Sequence, residues 1–488
     1  MTVQIAPDRI DAVSTTRKHK INISPSAQRT LGLTAVVAAV CGGLYGYDTG
    51  IISGALLLIT RDFHLSSTQQ EMVASAILLG AVIGALATGW VSERIGRRPT
   101  MTIVSGVFVI GALACAFAPD VTALIVARIF LGLAVGGSTQ VVPMYISELA
   151  PQDKRGRMVT TFNIAIGFGI LLANIIGLFG RDAWGWRVMV GLAAAPAFFV
   201  FCASFLLPRS PRWAAENLGI HRAMDELARV RTSEKAVRRE AKHIQEAAEW
   251  VKPQNRGWRG LGQPWVRPAL VAALGVAFFT QCGGLEMMIY YAPTFLRQAN
   301  FGDSSALLAS LGVAITYCIV TILGSRIVDR VGRRRLMLIL EPASALSLIG
   351  LGVTFLMHPA AGSIGAYMTV VFLILFMIFN SGGIQICGWL LGSEMFPLSM
   401  RGQATALHAA TLWGADLLVT GTALSLVQWI SLGGTMWVYA GVNIAAALFV
   451  MAFVPETSGA SLEDIEAALH DGTFKPTRGR TVIATAAD

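Results

Sequence analysis

The sequence predicts an all-helical membrane protein with twelve transmembrane helices in two pseudo-symmetric six-helix bundles. Three observations predict this. Hydrophobic residues make up 54% of the 488 positions and charged residues only 14%, far outside the balance of a soluble chain of this length. Apolar runs long enough to cross about 30 Å of hydrocarbon recur with short polar breaks. Short motifs from the first half also return, in the same order, in the second.

The runs fall near 32–59, 70–92, 100–118, 121–147, 158–180 and 186–207, then 268–296, 305–328, 335–357, 364–393, 403–429 and 435–454. They divide the chain into an N-terminal tail (1–28), a six-helix bundle (29–208), a polar linker with short amphipathic helices (209–266), a second bundle (267–454) and a C-terminal tail (455–488). The tail before the first span lacks a short apolar core followed by a cleavage site, so no removable signal peptide is expected.

Orientation follows from the basic residues. They crowd the N-terminus (Arg17, Lys18, Lys20), the 2–3 loop (Arg94, Arg97, Arg98), the 4–5 loop (Lys154, Arg155, Arg157), the linker and the 8–9 loop (Arg330, Arg333, Arg334, Arg335). The opposite loops offer Arg61, Arg181, Arg187 and Arg297. The positive-inside rule then puts both termini and the linker in the cytoplasm. The same asymmetry accounts for the net charge of +9, so no nucleic-acid partner is expected; that would need a soluble basic face with interleaved aromatics. Cys41, Cys115, Cys202, Cys282, Cys318 and Cys387 all fall inside predicted spans, with no CxxC and no histidine at ligand spacing. They read as packing residues, and neither a metal site nor a cofactor is expected. No nucleophile–base pair or phosphate loop suggests an enzyme.

The repeat is the most specific feature. Residues 147–156, SELAPQDKRG, return at 393–402 as SEMFPLSMRG. SERIGRR at 92–98 returns as VDRVGRRR at 328–335, and LPRSPR at 207–212 as VPETSG at 454–459, each pair after the equivalent span. Two parallel six-span halves with a site between them are the plan of a carrier that rocks one half against the other.

These motifs carry a family resemblance. GYDTGIISGAL in span 1, the G-x-x-x-E-R-x-G-R-R loop, R-x-x-x-G in span 4 followed by PMYISELAP, YYAPTF in span 7, W-x-x-x-S-E-x-F-P in span 10 and PETSG after span 12 resemble the sugar porter family of the major facilitator superfamily, from about residue 30 to 465. The resemblance implies the major facilitator fold and proton-coupled symport of a sugar or polyol by alternating access. The partners would be a small solute, protons and the lipid bilayer, and the carrier would work as a monomer in the inner membrane of a bacterium. The alternative keeps the fold and carries an amine-bearing or other non-sugar metabolite. A drug antiporter fits less well, because span 5 lacks the Gly-Pro signature of those exporters.

Three groups of residues follow. Glu93, Arg94, Arg97, Arg98, Glu148 and Arg155, with Asp329, Arg330, Arg333, Arg334, Glu394 and Arg401, are expected to form two symmetry-related cytoplasmic clusters. Charge-assisted bonds within them would hold the halves together in one state of the cycle. The competing reading is a set of orientation signals and surface ion pairs of little energetic weight. Glu93 stands where the family has Asp.

Asp48 lies mid-span, where a lone charge costs about 2.5–3.5 kcal/mol and needs a cavity or a partner. Arg128 in span 4 is at similar depth, within about 6 Å along the membrane normal at about 1.5 Å per residue. Gly42, Gly46, Gly50 and Gly54 share one face of span 1 and admit a close helix neighbour. In proton-coupled members of the family an Asp and an Arg stand at these two positions. Separation of the pair would let Asp48 take a proton; the competing reading is a permanent ion pair.

For the solute, the family's contacts map onto Gln281, Tyr290, Tyr291, Trp389 and Trp413, with Asn163, Thr280 and Glu286 where the family has Gln, Gln and Asn. Gln385 stands in place of a glycine before Trp389, and Asp416 lies one turn beyond Trp413, where an amide is common. Rings stack on sugar C–H faces and amides meet hydroxyls; the two carboxylates depart from that pattern.

Overall fold

The computed structural model describes residues 25 and 27–476, except 251–256, 300, 359–362, 398, 399 and 461. All regular structure among them is helical. The first half comprises α1 (Ala27–Phe63), α2 (Ser67–Ile95), α3 (Arg97–Ala116), α4 (Val121–Leu149), α5 (Gln152–Gly191) and α6 (Ala194–Ser204). Short helices α7 (Pro211–Leu218), α8 (Ile220–Ala228), α9 (Glu234–Trp250) and α10 (Gly257–Leu261) follow. The second half holds α11 (Arg267–Cys282), α12 (Leu285–Gln298), α13 (Asp303–Val331), α14 (Arg333–Leu356), α15 (Ile364–Asn380), α16 (Ile386–Glu394), α17 (Arg401–Thr420) and α18 (Ala423–Phe453), and α19 (Leu462–His470) lies in the tail.

Among the described residues, eleven segments are long and apolar enough to cross a membrane. The remaining expected span is α17, of equal length to α3 but interrupted by Gln403, His408 and Asp416. Large apolar side chains such as Leu79, Ile110, Phe168, Ile319 and Leu448 are exposed on the outside of the bundle, as a lipid-facing surface requires.

Several spans differ from their expected outlines. The span expected over 403–429 ends at Thr420, and a new helix starts at Ala423 and bends at Ser431 (φ 74°). Between spans 5 and 6 the chain leaves helical geometry at Gly185 (φ 67°, ψ 164°). Span 7 breaks between α11 and α12 at Gly284, which is left-handed (φ 92°). Span 10 carries a π-turn, Ser381–Gln385, between α15 and α16. Broken helices of this kind are tolerated in a membrane only where the protein itself supplies the freed backbone groups with partners.

The helix ends match the short polar loops. Ser66 and Gln69 form a reciprocal capping box at α2, and Asp120 caps α4 through the Ala123 amide at 2.8 Å. At the basic end the two GRR loops are built alike: Gly96 and Gly332 take φ of 93° and 94°, a conformation other residues adopt only under strain.

Packing is tightest where glycines line a helix. A Cβ added to Gly42 or Gly46 would fall within 2.3 or 1.9 Å of the Phe162 or Ile166 carbonyl oxygen, so the glycine face of α1 lies directly on α5. Two seams join the halves, α2 against α17 and α5 against α13, with α1 also touching α12. Tyr45 of the first half meets Trp389 and Trp413 of the second along this junction.

Candidate functional site

At the basic end each half has its own charge cluster. Arg97 pairs with Glu148 at 3.0 Å and donates to the Ser92 carbonyl, and the Ser210 hydroxyl donates to the other Glu148 oxygen. In the second half Arg333 makes a fork with Glu394 (3.1 and 2.9 Å) and donates to the Val328 carbonyl. The Thr457 hydroxyl donates to Glu394 at 3.2 Å. The equivalences match the sequence repeat, and they add Ser210 and Thr457, whose part in the clusters the repeated LPRSPR and VPETSG segments signalled only by position. Arg98 binds the carbonyls of Ser204 and Phe205, as Arg334 binds that of Met451.

These clusters lie within the halves, not between them. Among the described residues, one contact across the junction at this end is Gln403 donating to Glu93. Arg94 is exposed and lies over its own helix's Trp90 ring, 3.8 Å from the centroid. Arg330 is exposed too, and Asp329 is 70% exposed while pairing with Arg333 at 2.7 Å. Solvation makes these three weak braces. Arg401 donates to the Phe396 carbonyl of its own half at 3.2 Å, and the side chain of Arg155 lies outside the described residues.

Halfway through the bundle, Asp48 and Arg128 are both buried, at 4% and 1% exposure. They act on each other electrostatically without forming an ion pair within 4 Å among the described residues. Arg128 donates one long bond, 3.4 Å to the Ala74 carbonyl, and its Nε has no partner. A buried guanidinium so poorly paired is costly.

Five of the expected solute residues, Glu286, Tyr290, Trp389, Trp413 and Asp416, lie around Tyr45 of α1. The Tyr45 ring lies 5.1 Å from Trp413 and 6.1 Å from Trp389, and those two rings are 6.4 Å apart. Trp413 also reaches the first half through Nε1, donating to the Thr139 hydroxyl at 3.2 Å. Gln385 donates to Glu286 at 3.3 Å. Yet Gln281 has neither amide atom paired, and Gln385 Oε1, Glu286 Oε2 and Asp416 Oδ2 are also buried without partners. The second Asp416 oxygen accepts from Thr420 at 2.8 Å. Tyr290 is buried beside Glu286 and Asp416, and Asn163 is half-buried on α5.

Two expected contacts are otherwise engaged. Thr280 donates its hydroxyl to the Val276 carbonyl one turn back at 2.7 Å, the usual local bond of a helical threonine. Tyr291 donates to the Thr420 carbonyl at 2.9 Å, where it ties α12 to the end of α17.

Four polar residues that sequence reasoning missed belong here. Gln140 of α4 is buried with both amide atoms unpaired. Glu341 of α14 is fully buried, and Glu71 of α2 is bonded across the junction to Ser425. Only Glu341 carried a signal, a lone carboxylate in an apolar run as Asp48 is; Glu71 closes the polar stretch SSTQQE and Gln140 follows Ser138 and Thr139. Tyr45 sits in the same GGLYGYDTG stretch as Asp48 but carries no charge to mark it.

The comparisons with known proteins agree with this architecture. A family model described as "Sugar (and other) transporter" matches residues 34–469. The chain is 37% identical to a D-xylose transporter of Levilactobacillus brevis, covering 91% of this chain and 96% of the relative. It is 34% identical to the arabinose-proton symporter of Escherichia coli K12, covering 90% and 93%. Among solved structures, a partially occluded inward-open form of the xylose transporter XylE from E. coli superposes with a TM-score of 0.77 at 26% identity, covering 89% of this chain and 100% of that one. The chain therefore belongs to the sugar transporter family of the major facilitator superfamily.

Proposed function

We propose that this carrier moves a small polyhydroxylated solute, a sugar or polyol, together with a proton. The observation that carries the reading is the set of unpaired buried polar atoms on Gln281, Gln385, Glu286 and Asp416, of which Glu286 and Asp416 lie near Tyr45, the ring that packs on Trp389 and Trp413. An orphaned buried donor or acceptor costs about 1–3 kcal/mol, and a ring of hydroxyls supplies both donors and acceptors at once. Rings and amides together suit one small polar molecule. The relatives named for D-xylose and arabinose–proton transport support the same class.

Proton coupling rests on Asp48 and Arg128. In an ion pair Asp48 stays charged; apart from Arg128, in a buried setting, it takes a proton. The long, incomplete bonding of Arg128 is that of a group that finds its partner in another state of the cycle. The bundles 29–208 and 267–454 rock about the site, the linker 209–266 and both termini lie in the cytoplasm, and the clusters at Glu148 and Glu394 brace the cytoplasmic end of each bundle. The carrier works as a monomer in the inner membrane of a bacterium.

A second reading is favoured by one observation: Glu286 and Asp416 each leave a carboxylate oxygen unpaired. An amine-bearing solute would neutralise them directly. Uptake by purified protein in liposomes, against D-xylose, L-arabinose, D-glucose, myo-inositol and D-glucosamine with and without a pH gradient, separates the two. Accumulation of neutral sugars only with an inward proton gradient supports the first. Uptake restricted to the amine supports the second.

A further inference from the structure

We propose that Glu341 is a positioning residue for transport: through the π-turn of span 10 it sets where the Gln385 amide stands in the central site. The inference rests on the reading of Gln385 as a solute contact. Glu341 lies on α14, nine positions past the glycine of the second GRR loop, and is fully buried. A π-turn closes i→i+5 bonds and so leaves helix backbone groups without their regular partners. In the stretch SGGIQ the Ile384 N–H is turned outward, and Glu341 Oε1 accepts it at 3.3 Å. The residue after Ile384 is Gln385, whose side chain donates to Glu286.

The surroundings are shaped for this contact. A Cβ on Gly383 would lie 3.2 Å from Glu341 Oε1 and 3.0 Å from Leu340 Cβ, so the turn lies closer to α14 than a side chain there would allow without a small shift. The same helix holds span 10 a second time. Arg333, at the start of α14, forks onto Glu394 at the end of α16, and the Cys387 thiol reaches the Arg333 carbonyl at 3.6 Å. Span 10 is thus gripped at two levels by α14, once at the basic end and once at the site, so a shift of α14 moves Gln385 with it. A carboxylate placed merely to fill space would be a poor choice, since its second oxygen is buried without a partner; its backbone contact is what it supplies.

The test uses the full-length carrier in liposomes and whichever sugar of the panel D-xylose, L-arabinose, D-glucose and myo-inositol the unaltered protein takes up fastest. Glu341→Leu removes the acceptor and is expected to raise KM at least tenfold with Vmax changed less than threefold. Glu341→Gln keeps a carbonyl oxygen for the Ile384 amide and is expected to stay within threefold of the unaltered KM. Gly383→Ala, which pushes the turn off α14 while leaving Glu341 in place, should raise KM as the leucine variant does and gives the answer if that variant does not fold. Gln385→Ala is the control: unchanged KM there means that the reading of Gln385 fails. A raised KM for Gln385→Ala with unchanged KM for Glu341→Leu or Gly383→Ala overturns the role of Glu341, as does a glutamine variant as impaired as the leucine one.

Discussion

Glu71 of α2 accepts the backbone N–H of Ser425 at 2.7 Å and its hydroxyl at 2.6 Å, so a buried carboxylate of the first half caps the first turn of α18 in the second half. It lies at the end opposite the basic loops, where Arg61 of α1 also reaches Asp303 of α13 across the junction. Arg61 is half-exposed and its pair is weak. Glu71 is 3% exposed, and an anion at a helix N-terminus also gains from the helix dipole.

Opening that end requires the cap to break. Glu71→Leu removes it and leaves the Ser425 amide unpaired, so the open form becomes easier to reach. In a variant whose only cysteine is Cys282, buried near Asp416, a membrane-impermeant maleimide applied from that side is expected to react at least threefold faster when Glu71 is replaced. An unchanged rate would mean that the cap does not hold the junction shut.

Asp48→Asn keeps a hydrogen-bonding amide and loses the titrating group. Accumulation against a gradient is expected to vanish while sugar exchange across the membrane continues within about tenfold of the unaltered rate. Exchange measured beside gradient-driven uptake in the same liposomes separates the two, and accumulation by the variant would remove Asp48 from the coupling.

Much of this architecture was legible because membrane spans and repeated loops leave strong marks in a sequence. The Arg97–Glu148 and Arg333–Glu394 pairs were readable from two copies of one pattern, since equal sequence in equal halves gives equal geometry. The seams were not readable: nothing local in α2 announces that Glu71 meets Ser425, because that contact depends on how the two bundles dock. The break after Thr420 was hidden inside a continuous apolar run, where hydropathy stays high through a turn. Thr280 and Tyr291 show a related limit. A pattern of residue types tells which groups are present, whereas the fold decides which hydroxyl protons are already engaged.

The Arg333–Glu394 fork is expected to hold α14 to α16 with real energy. Arg333 is largely buried and the bond is bidentate, for which about 1.5–3 kcal/mol is typical of charge-assisted bonds. A double-mutant cycle with Arg333→Gln and Glu394→Gln, read by denaturation in detergent, should give a coupling in that range. Coupling below about 0.5 kcal/mol would place the pair with surface salt bridges.

Topology has a direct check at Lys242, 77% exposed on α9 and paired with Glu246. A single cysteine at position 242 is expected to resist impermeant reagents in intact cells and to react once the membrane is opened. Labelling in intact cells would invert the orientation.

Glu286, one of the proposed solute contacts, offers a test of what kind of solute the site accepts. Its Oε1 is occupied by the Gln385 amide at 3.3 Å and its Oε2 is free and buried, with Asp416 close by. A neutral sugar can use Oε2 only as an acceptor while the residue is charged, and a buried uncompensated charge is costly; a protonated Glu286 becomes a donor as well. Glu286→Asn supplies donor and acceptor at every pH. For a sugar carrier the variant should therefore transport the native sugar within about tenfold of the unaltered rate and lose part of its pH dependence. For an amine carrier the charge-assisted bond disappears, and affinity should fall at least tenfold, the equivalent of about 1.4 kcal/mol. Asp416→Asn should act in the same direction in either case if the two neighbouring carboxylates meet the same solute. Glu286→Asn with unaltered affinity and an unaltered pH profile would mean that Oε2 does not meet the solute, and both readings of the residue would fall together.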